Sequence, residues 1–392
     1  VAIEELPRRL RLGIQLGKEP FRDGGLVAAA VMPGSFAAGA GVLPGDVVRA
    51  IGAVPIPDAV ALRAALRRES AADEIALEVA RAGVVRRVRG KAVRVAVESF
   101  AGGSVRLATL ARADARLRVL VTLPPGEGPH PAVVFLQGIA CNSIDYGGVS
   151  PLPALGELLH ELTRHGLATL RLERRGLGDS EGPPAATIGF GTELDDLRAL
   201  VEPAYLRALG CDPDRLALFG HSVGGMMLPS IAEHAHPRAA IVAGSSRRVW
   251  TECVAGSTRR QVLLRGGTEA EAQAEVARET DAILNAAPDE VLFGRTVAFS
   301  RELQNANIGA AFDRLACPLL VVQGEHDWVV GEDEGRHLVA RAPAAELWSV
   351  PGMDHSFGVH ASLGESVAAY GKGRFEPTFA AGLARFVLRH IT

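Results

Sequence analysis

Three side chains far apart in the chain have the types that nucleophilic catalysis needs: Ser222, Asp327 and His355. Ser222 stands in Gly220-His221-Ser222-Val223-Gly224, after the apolar run Leu216–Phe219 and before an apolar helix start. G-x-S-x-G between a strand and a helix permits a turn so sharp that the serine hydroxyl is exposed at its apex. The bare pattern is common by chance; the flanking strand and helix give it weight. A serine hydroxyl is a poor nucleophile at neutral pH and needs a base, which must itself be oriented. Gly324-Glu325-His326-Asp327 offers an acid after the run Leu319–Gln323. Pro351-Gly352-Met353-Asp354-His355-Ser356-Phe357 offers a histidine after Glu346–Val350.

The elements that must position these residues alternate between apolar strands and amphipathic helices, the signature of a mostly parallel sheet covered on both faces. Ser104–Leu110 and Leu117–Leu123 suggest an antiparallel opening hairpin. Parallel strands are expected at Ala132–Gln137, Ala168–Leu172, Leu216–Phe219, Ala240–Ala243, Leu319–Gln323 and Glu346–Val350. Helices are expected at Leu155–His165, Glu193–Leu209, Gly224–His234 and Gly335–Ala340, with a last one from about Phe379 to His390. Open α/β sheets place their ligands beyond the strand ends, where all three candidates fall.

Together FGHSVGG, LQGIACNSIDYG and RLERRGLGDSEG resemble the α/β-hydrolase superfamily over about residues 104–392, near the bacterial acyl-peptidase and dienelactone-hydrolase groups. The resemblance implies an eight-stranded, mostly parallel sheet with a helical cap, and the triad order Ser, then Asp or Glu, then His. Asp327 is favoured over Glu325, which sits nearer its strand. His355 is favoured over His326, His337 and His360, and His221 reads as a packing or hydrogen-bonding residue. The oxyanion donors would be the backbone N–H groups of Val223 and Ile139. Many relatives carry His-Gly where this chain has Gln137-Gly138, which leaves the hydrogen bonding of that loop to be found. Cys141 and Trp250 are expected in the substrate pocket. Residues from about 247 to 314 break the strand–helix rhythm and would form the cap, burying Trp250, Phe293, Phe299 and Phe312.

Residues 8–92 read as a separate small α+β domain of short strands, tight turns and a helix capped by Asp58 and running to Arg68. PGSFAAGAGVLPGDVVRAIGAVPI resembles the centre of a PDZ domain of the kind attached to bacterial proteases. That resemblance makes Leu12-Gly13-Ile14 the carboxylate loop of a groove that would take a peptide C-terminus. An empty or self-occupied groove is an equal expectation. Glu98–Ser104 (ESFAGGS), within residues 93–103 and the start of the next strand, reads as a Gly-rich linker.

Composition narrows the function classes. The chain has 392 residues and a net charge of -3, and carries no electrostatic footprint for nucleic acid. Its densest basic stretch, Arg81 to Arg94, alternates bases with Val as on a half-buried strand and reads as a solvated strand face. The four cysteines are widely spaced with no zinc or disulfide pattern, so reduced thiols and no metal or organic cofactor are expected. No apolar run approaches the roughly 20 residues of a membrane span. A cytoplasmic location is expected, although a chain beginning at Val leaves room for a trimmed leader. The leading expectation is hydrolysis of a small-molecule ester or thioester through an acyl-enzyme on Ser222. Carbon–carbon cleavage of a polyketide-like diketone by the same triad comes next. A peptidase, or a binding protein acting through the PDZ-like groove, follows.

Overall fold

The computed structural model describes residues 5–15, 21–147, 152–340, 342 and 344–391. The chain divides into two compact units, Glu5–Val97 and Glu98–Thr392.

In the smaller unit, Phe21–Arg22, Gly25–Val27, Val47–Ile51, Glu74–Arg81 and Val84–Lys91 pair antiparallel in that order. Ala82 and Gly83 join the last two strands with φ of 48° and 78°, the left-handed pair whose twist suits a two-residue hairpin. The Asp58 carboxylate accepts from the Val60 and Ala61 N–H groups and so starts the helix Ala59–Arg68. Leu26, Val48, Ile51, Leu77 and Val79 centre one apolar core. The basic strand is a solvated face, as expected: it forms the sheet edge, its Arg-rich surface faces water, and Val84 and Val85 are themselves 56% and 49% exposed. Leu12 belongs to the core, and its carbonyl accepts from Ala37 N–H. Gly13, at φ 75°, packs where a Cβ would meet Ser35 Cβ at 2.0 Å. Ile14 opens a two-residue strand against Ala30–Val31.

The larger unit is built on β1 (Ser104–Ala111), β2 (Arg116–Leu123), β3 (His130–Leu136), β4 (Ala168–Leu172), β5 (Cys211–His221), β6 (Ala239–Ala243), β7 (Leu319–Gly324) and β8 (Glu346–Val350). The order across the sheet is β1-β2-β4-β3-β5-β6-β7-β8. β1–β2 and β2–β4 are antiparallel; every pair from β4 to β8 is parallel. Its helices include α1 (Pro153–Arg164), α2 (Phe190–Leu200), α3 (Val223–Ala235), α4 (Trp250–Leu264), α5 (Glu269–Asn285), α6 (Val297–Asn305), α7 (Ile308–Asp313), α8 (Glu332–Ala340) and α9 (Pro377–Ile391), with the short helices Pro203–Ala208 and Leu363–Ala368 besides. Period-two alternation divides the core. Val133, Phe135, Ala217 and Phe219 pack with α1 and α9, whereas Val134, Leu136, Leu218 and Val242 pack with α2 and α3. Among the described residues, no helix is long and apolar enough to cross a membrane.

Four local expectations differ. The helix expected over Glu193–Leu209 ends at Leu200 and restarts as Pro203–Ala208, because Pro203 has no N–H to continue the ladder but suits a first turn. The helix α8 starts at Glu332 rather than Gly335, its acidic first turn facing the positive end of the helix dipole. Trp250, Phe299 and Phe312 are buried, whereas Phe293 is 38% exposed at the tip of a two-residue hairpin, with φ 56°. The stretch 93–103 is not one free linker. The Val93 carbonyl accepts from Arg11 N–H inside the smaller unit, while Glu98 is 6% exposed inside the larger one.

Candidate active site

The parallel strands β3, β5, β6, β7 and β8 bring their C-terminal ends to one edge of the sheet. At the end of β5, Ser222 has φ 53° and ψ −126°, a conformation that costs a non-glycine residue energy unless its surroundings fix it. They do so on both sides of the peptide. Ser222 N–H donates to the Ala243 carbonyl at 3.0 Å, and its own carbonyl accepts from Ser245 Oγ at 2.7 Å and Gly225 N–H at 2.9 Å. The two glycines of the motif are steric necessities. A Cβ on Gly220 would lie 2.6 Å from Gly225 Cα, and one on Gly224 would lie 2.0 Å from the Leu136 carbonyl oxygen.

His355, after β8, and Asp327, after β7, are joined by a 2.8 Å hydrogen bond from Nδ1 to Oδ2. Both are buried. The other carboxylate oxygen of Asp327 accepts from the N–H groups of Val329 and Val330, which fixes its orientation. With the Nδ1 proton directed at Asp327, Nε2 is left as the acceptor, the tautomer that can take a proton from a serine. Ser222 and His355 line the same cavity. Two of the rival groups, Glu325 and His360, are engaged elsewhere. Glu325 is exposed and accepts from Gly352 N–H, His360 pairs with buried Asp354 at 3.0 Å, and His337 lies on α8. His326 donates its main-chain N–H to the Met353 carbonyl. His221 donates from Nε2 to the His355 carbonyl at 2.7 Å; burial, with the neighbouring His355 ring, pushes its pKa down to about 3.

The loop after β3 carries Ile139 and is fastened by Gln137 and by Arg174, the second of which the sequence reading did not single out. Gln137 uses its side-chain amide to hold the carbonyls of Ala140 and Asn142 at 3.2 and 2.8 Å, so the glutamine in place of histidine is itself a loop brace. Arg174 donates to the carbonyls of Gln137, Gly138 and Ala140 at 3.0, 2.6 and 2.8 Å. Its guanidinium is paired with buried Glu193, which also binds fully buried Arg295. With three of its carbonyls drawn toward one guanidinium, the loop keeps a set orientation beside Ser222, whose Cβ would lie 3.0 Å from a Cβ at Gly138.

The cavity beside Ser222 and His355 has a volume of about 210 Å³. Ile139, Ile144, Tyr146, Leu155, Val329 and Tyr370 give it largely apolar walls. Cys141 and Trp250 are not among its lining residues, nor is any residue of α4 to α7. The Cys141 thiol turns instead to the Gly294 carbonyl at 3.5 Å, and Trp250 packs edge-on to Phe293 in the helical layer. The wall at 143–146 is pinned by buried charge. Glu173 accepts from Ser143 Oγ, and Glu98 accepts from Tyr146 N–H, Arg171 and His160. Burial alone would raise the Glu98 carboxyl pKa; the His160 and Arg171 hydrogen bonds and charges outweigh it and hold the pKa at about 2. Among the described residues, no group of three or more His, Cys, Asp or Glu is placed to hold a metal ion.

The sequence model of the Hydrolase_4 family, described as serine aminopeptidase, S33, matches residues 147–358, more than half of the chain. The chain belongs to this family. The Hydrolase_4 match covers Ser222, Asp327 and His355 together with the strands that carry them. Esterase EstD of Thermotoga maritima is 23% identical over 214 residues, 55% of this chain and 50% of that protein. The quorum-quenching protein AidA of Acinetobacter baumannii is 28% identical over 130 residues, 33% of this chain and 40% of that protein. The chain thus spans half or less of the length of these curated relatives. Solved structures extend the likeness in fold. Est1E from Butyrivibrio proteoclasticus, solved with ferulic acid, has a TM-score of 0.50 at 20% identity and covers 72% of this chain and 98% of its own. A hypothetical protein, PA2218, from Pseudomonas aeruginosa gives 0.50 at 18% identity, covering 74% of this chain and 95% of its own. The larger unit of this Hydrolase_4 member has the α/β-hydrolase fold.

Proposed function

We propose that this protein is a serine hydrolase of the esterase type that forms an acyl-enzyme on Ser222. One observation carries the reading: a serine held at φ 53° on the strand–helix turn shares a cavity with a histidine whose Nδ1 is bound to a buried aspartate. In the first half-reaction His355 Nε2 takes the Ser222 proton as Oγ attacks the acyl carbon, then returns it to the leaving alcohol. In the second it takes a proton from water as the water oxygen attacks the acyl carbon, then gives that proton to Ser222 Oγ as the bond from Oγ to the acyl carbon breaks. Asp327 keeps the tautomer and offsets the charge of the imidazolium. The N–H groups of Val223 and Ile139 receive the oxyanion. A cavity of about 210 Å³ with largely apolar walls suits a small apolar acyl group. The esterase named among the relatives supports an oxygen ester as substrate, and a thioester would use the same steps.

The helices between β6 and β7 are read as a cap. The smaller unit is read as PDZ-like on its antiparallel sheet and capped helix, a reading that would make Leu12-Gly13-Ile14 its carboxylate loop. A fluorophosphonate should label Ser222 alone, and Ser222→Ala should lower turnover of 4-nitrophenyl esters by up to about 10⁶. An adduct at any other residue, or a Ser222→Ala protein with substantial activity, would overturn the assignment.

A further inference from the structure

Residues 141–147 of the larger unit have no helical or strand ladder to occupy their main-chain polar groups. Buried backbone groups in such a segment need other partners. Here the partners are charged side chains. One Glu98 carboxylate oxygen accepts from Tyr146 N–H at 3.0 Å and from Arg171 Nη1 at 3.2 Å. The other accepts from Arg171 Nη2 and from His160 Nε2. Arg171 Nη1 also donates to the Ile144 carbonyl at 2.9 Å, and its guanidinium lies 5.0 Å from the centre of the Tyr146 ring. Arg171 has no solvent exposure and Glu98 has 6%. Ile144 and Tyr146 line the cavity beside Ser222, while Glu98 and Arg171 do not; the pair stands behind the wall and holds its backbone.

We propose that Glu98 is a positioning residue for substrate selection: with Arg171 it sets the wall against which an acyl chain longer than acetyl must lie. The inference rests on the reading of Ser222 as nucleophile. An acetyl group carries a single methyl beyond its carbonyl, whereas a hexanoyl group carries a longer alkyl chain that must pack against the cavity's apolar walls, Ile144 and Tyr146 among them. A merely structural Glu98 would alter both substrates alike. A positioning Glu98 alters the longer one.

The experiment uses the full chain with 4-nitrophenyl acetate and 4-nitrophenyl hexanoate. In Glu98→Gln, the hexanoate-to-acetate ratio of kcat/KM should fall by about tenfold or more, carried by the hexanoate KM, on the scale by which apolar pockets discriminate chain length. Because Gln leaves the Arg171 charge without its counter-charge, a second variant combines Glu98→Met with Arg171→Met, replacing the ion pair by apolar side chains. It removes both backbone partners, the acceptor for Tyr146 N–H and the donor to the Ile144 carbonyl, and should lower the ratio in the same direction. A folded variant of either kind with an unchanged ratio, or with kcat falling equally on both esters, would overturn the role of Glu98. Fluorophosphonate labelling of the parent protein separates this from the underlying assignment. An adduct on Ser222 with an unchanged ratio removes only the Glu98 inference, whereas an adduct elsewhere removes the nucleophile.

Discussion

The His221 imidazole, one residue before the serine at the turn, donates from Nε2 to the main-chain carbonyl of His355 across 2.7 Å. The strand that leads into Ser222 therefore holds the backbone of the residue read as the general base. Burial keeps His221 neutral in the folded protein, with a pKa of about 3 against the ordinary 6.5. The unfolded chain binds that proton more readily, so the contribution to stability is present above pH 6.5 and is lost as pH falls toward 3. The slope approaches about 1.4 kcal/mol per pH unit for one proton. Denaturant unfolding of the parent and of His221→Gln at pH 7, 6, 5 and 4 checks this. The variant, which keeps a donor but cannot titrate, should show the shallower pH dependence, and equal slopes would reject the assignment of the proton to His221.

Asp327→Asn should reduce turnover by roughly 10⁴, because an amide can hold the imidazole in the wrong tautomer. Glu325→Gln should change turnover far less, since Glu325 is exposed and engages the Gly352 N–H rather than His355. Steady-state kinetics on one activated ester compare the two. A larger loss in Glu325→Gln would mean that the acid had been assigned to the wrong member of the loop.

Arg174→Met removes the cation that holds three carbonyls of the Ile139 loop. The expected result is a fall in kcat of about 10- to 100-fold with KM nearly steady, somewhat below the cost of deleting an oxyanion donor outright. Glu193 keeps Arg295 as its partner, so the protein should still fold. A variant whose loss lies wholly in KM would show that the loop shapes ground-state binding instead.

Gly224→Ala places a Cβ 2.0 Å from the Leu136 carbonyl, a main-chain atom that cannot swing aside. The variant should be destabilised by about 1–3 kcal/mol or more, as over-packing of a rigid site requires, and should lose activity with it. Thermal unfolding of the parent and the variant tests the first part and ester turnover the second. An active Gly224→Ala of parental stability would mean that helix α3 can move away from β3 at no cost.

The difference between what the sequence revealed and what it hid has a physical cause. The strands, the serine turn and the loops bearing Asp327 and His355 follow from short-range patterns: apolar runs, glycine spacing and residues just past a strand end. Glu98, Arg171, Arg174, Glu193 and Arg295 left no such trace. They are charged residues buried by partners that in most cases lie tens of residues away, and charged residues in a sequence read first as surface. Glu98 was concealed further by its neighbours, since ESFAGGS has the composition of a linker. Gly102, at φ 97°, is used there for the turn into β1. Trp250 and Cys141 misled in the opposite sense. Their types suited a pocket, but the backbone that bears them turns the first into the helical layer and the second to the Gly294 carbonyl.

The buried carboxylate at residue 98 makes a prediction about where the chain can be cut. The smaller unit has its own core around Leu26, Val48 and Leu77, and the larger has its own on both faces of the sheet. The fragments 1–97 and 98–392 should therefore each fold alone, and the second should hydrolyse 4-nitrophenyl acetate. A fragment 104–392, cut at the start of β1, should behave differently. It lacks Glu98, leaving the fully buried Arg171 guanidinium without its carboxylate. It also lacks Phe100, which stacks on His160 at 4.2 Å between ring centres, and Ala101, whose carbonyl accepts from Arg164. Removing one partner of a buried ion pair costs about 3–5 kcal/mol, a large share of a typical domain's stability. The shorter fragment should be insoluble or should unfold at markedly lower denaturant than 98–392. Equal unfolding midpoints for 98–392 and 104–392 would show that Arg171 does not depend on Glu98. An insoluble 98–392 alongside an active full-length chain would show that the two units form one cooperative body.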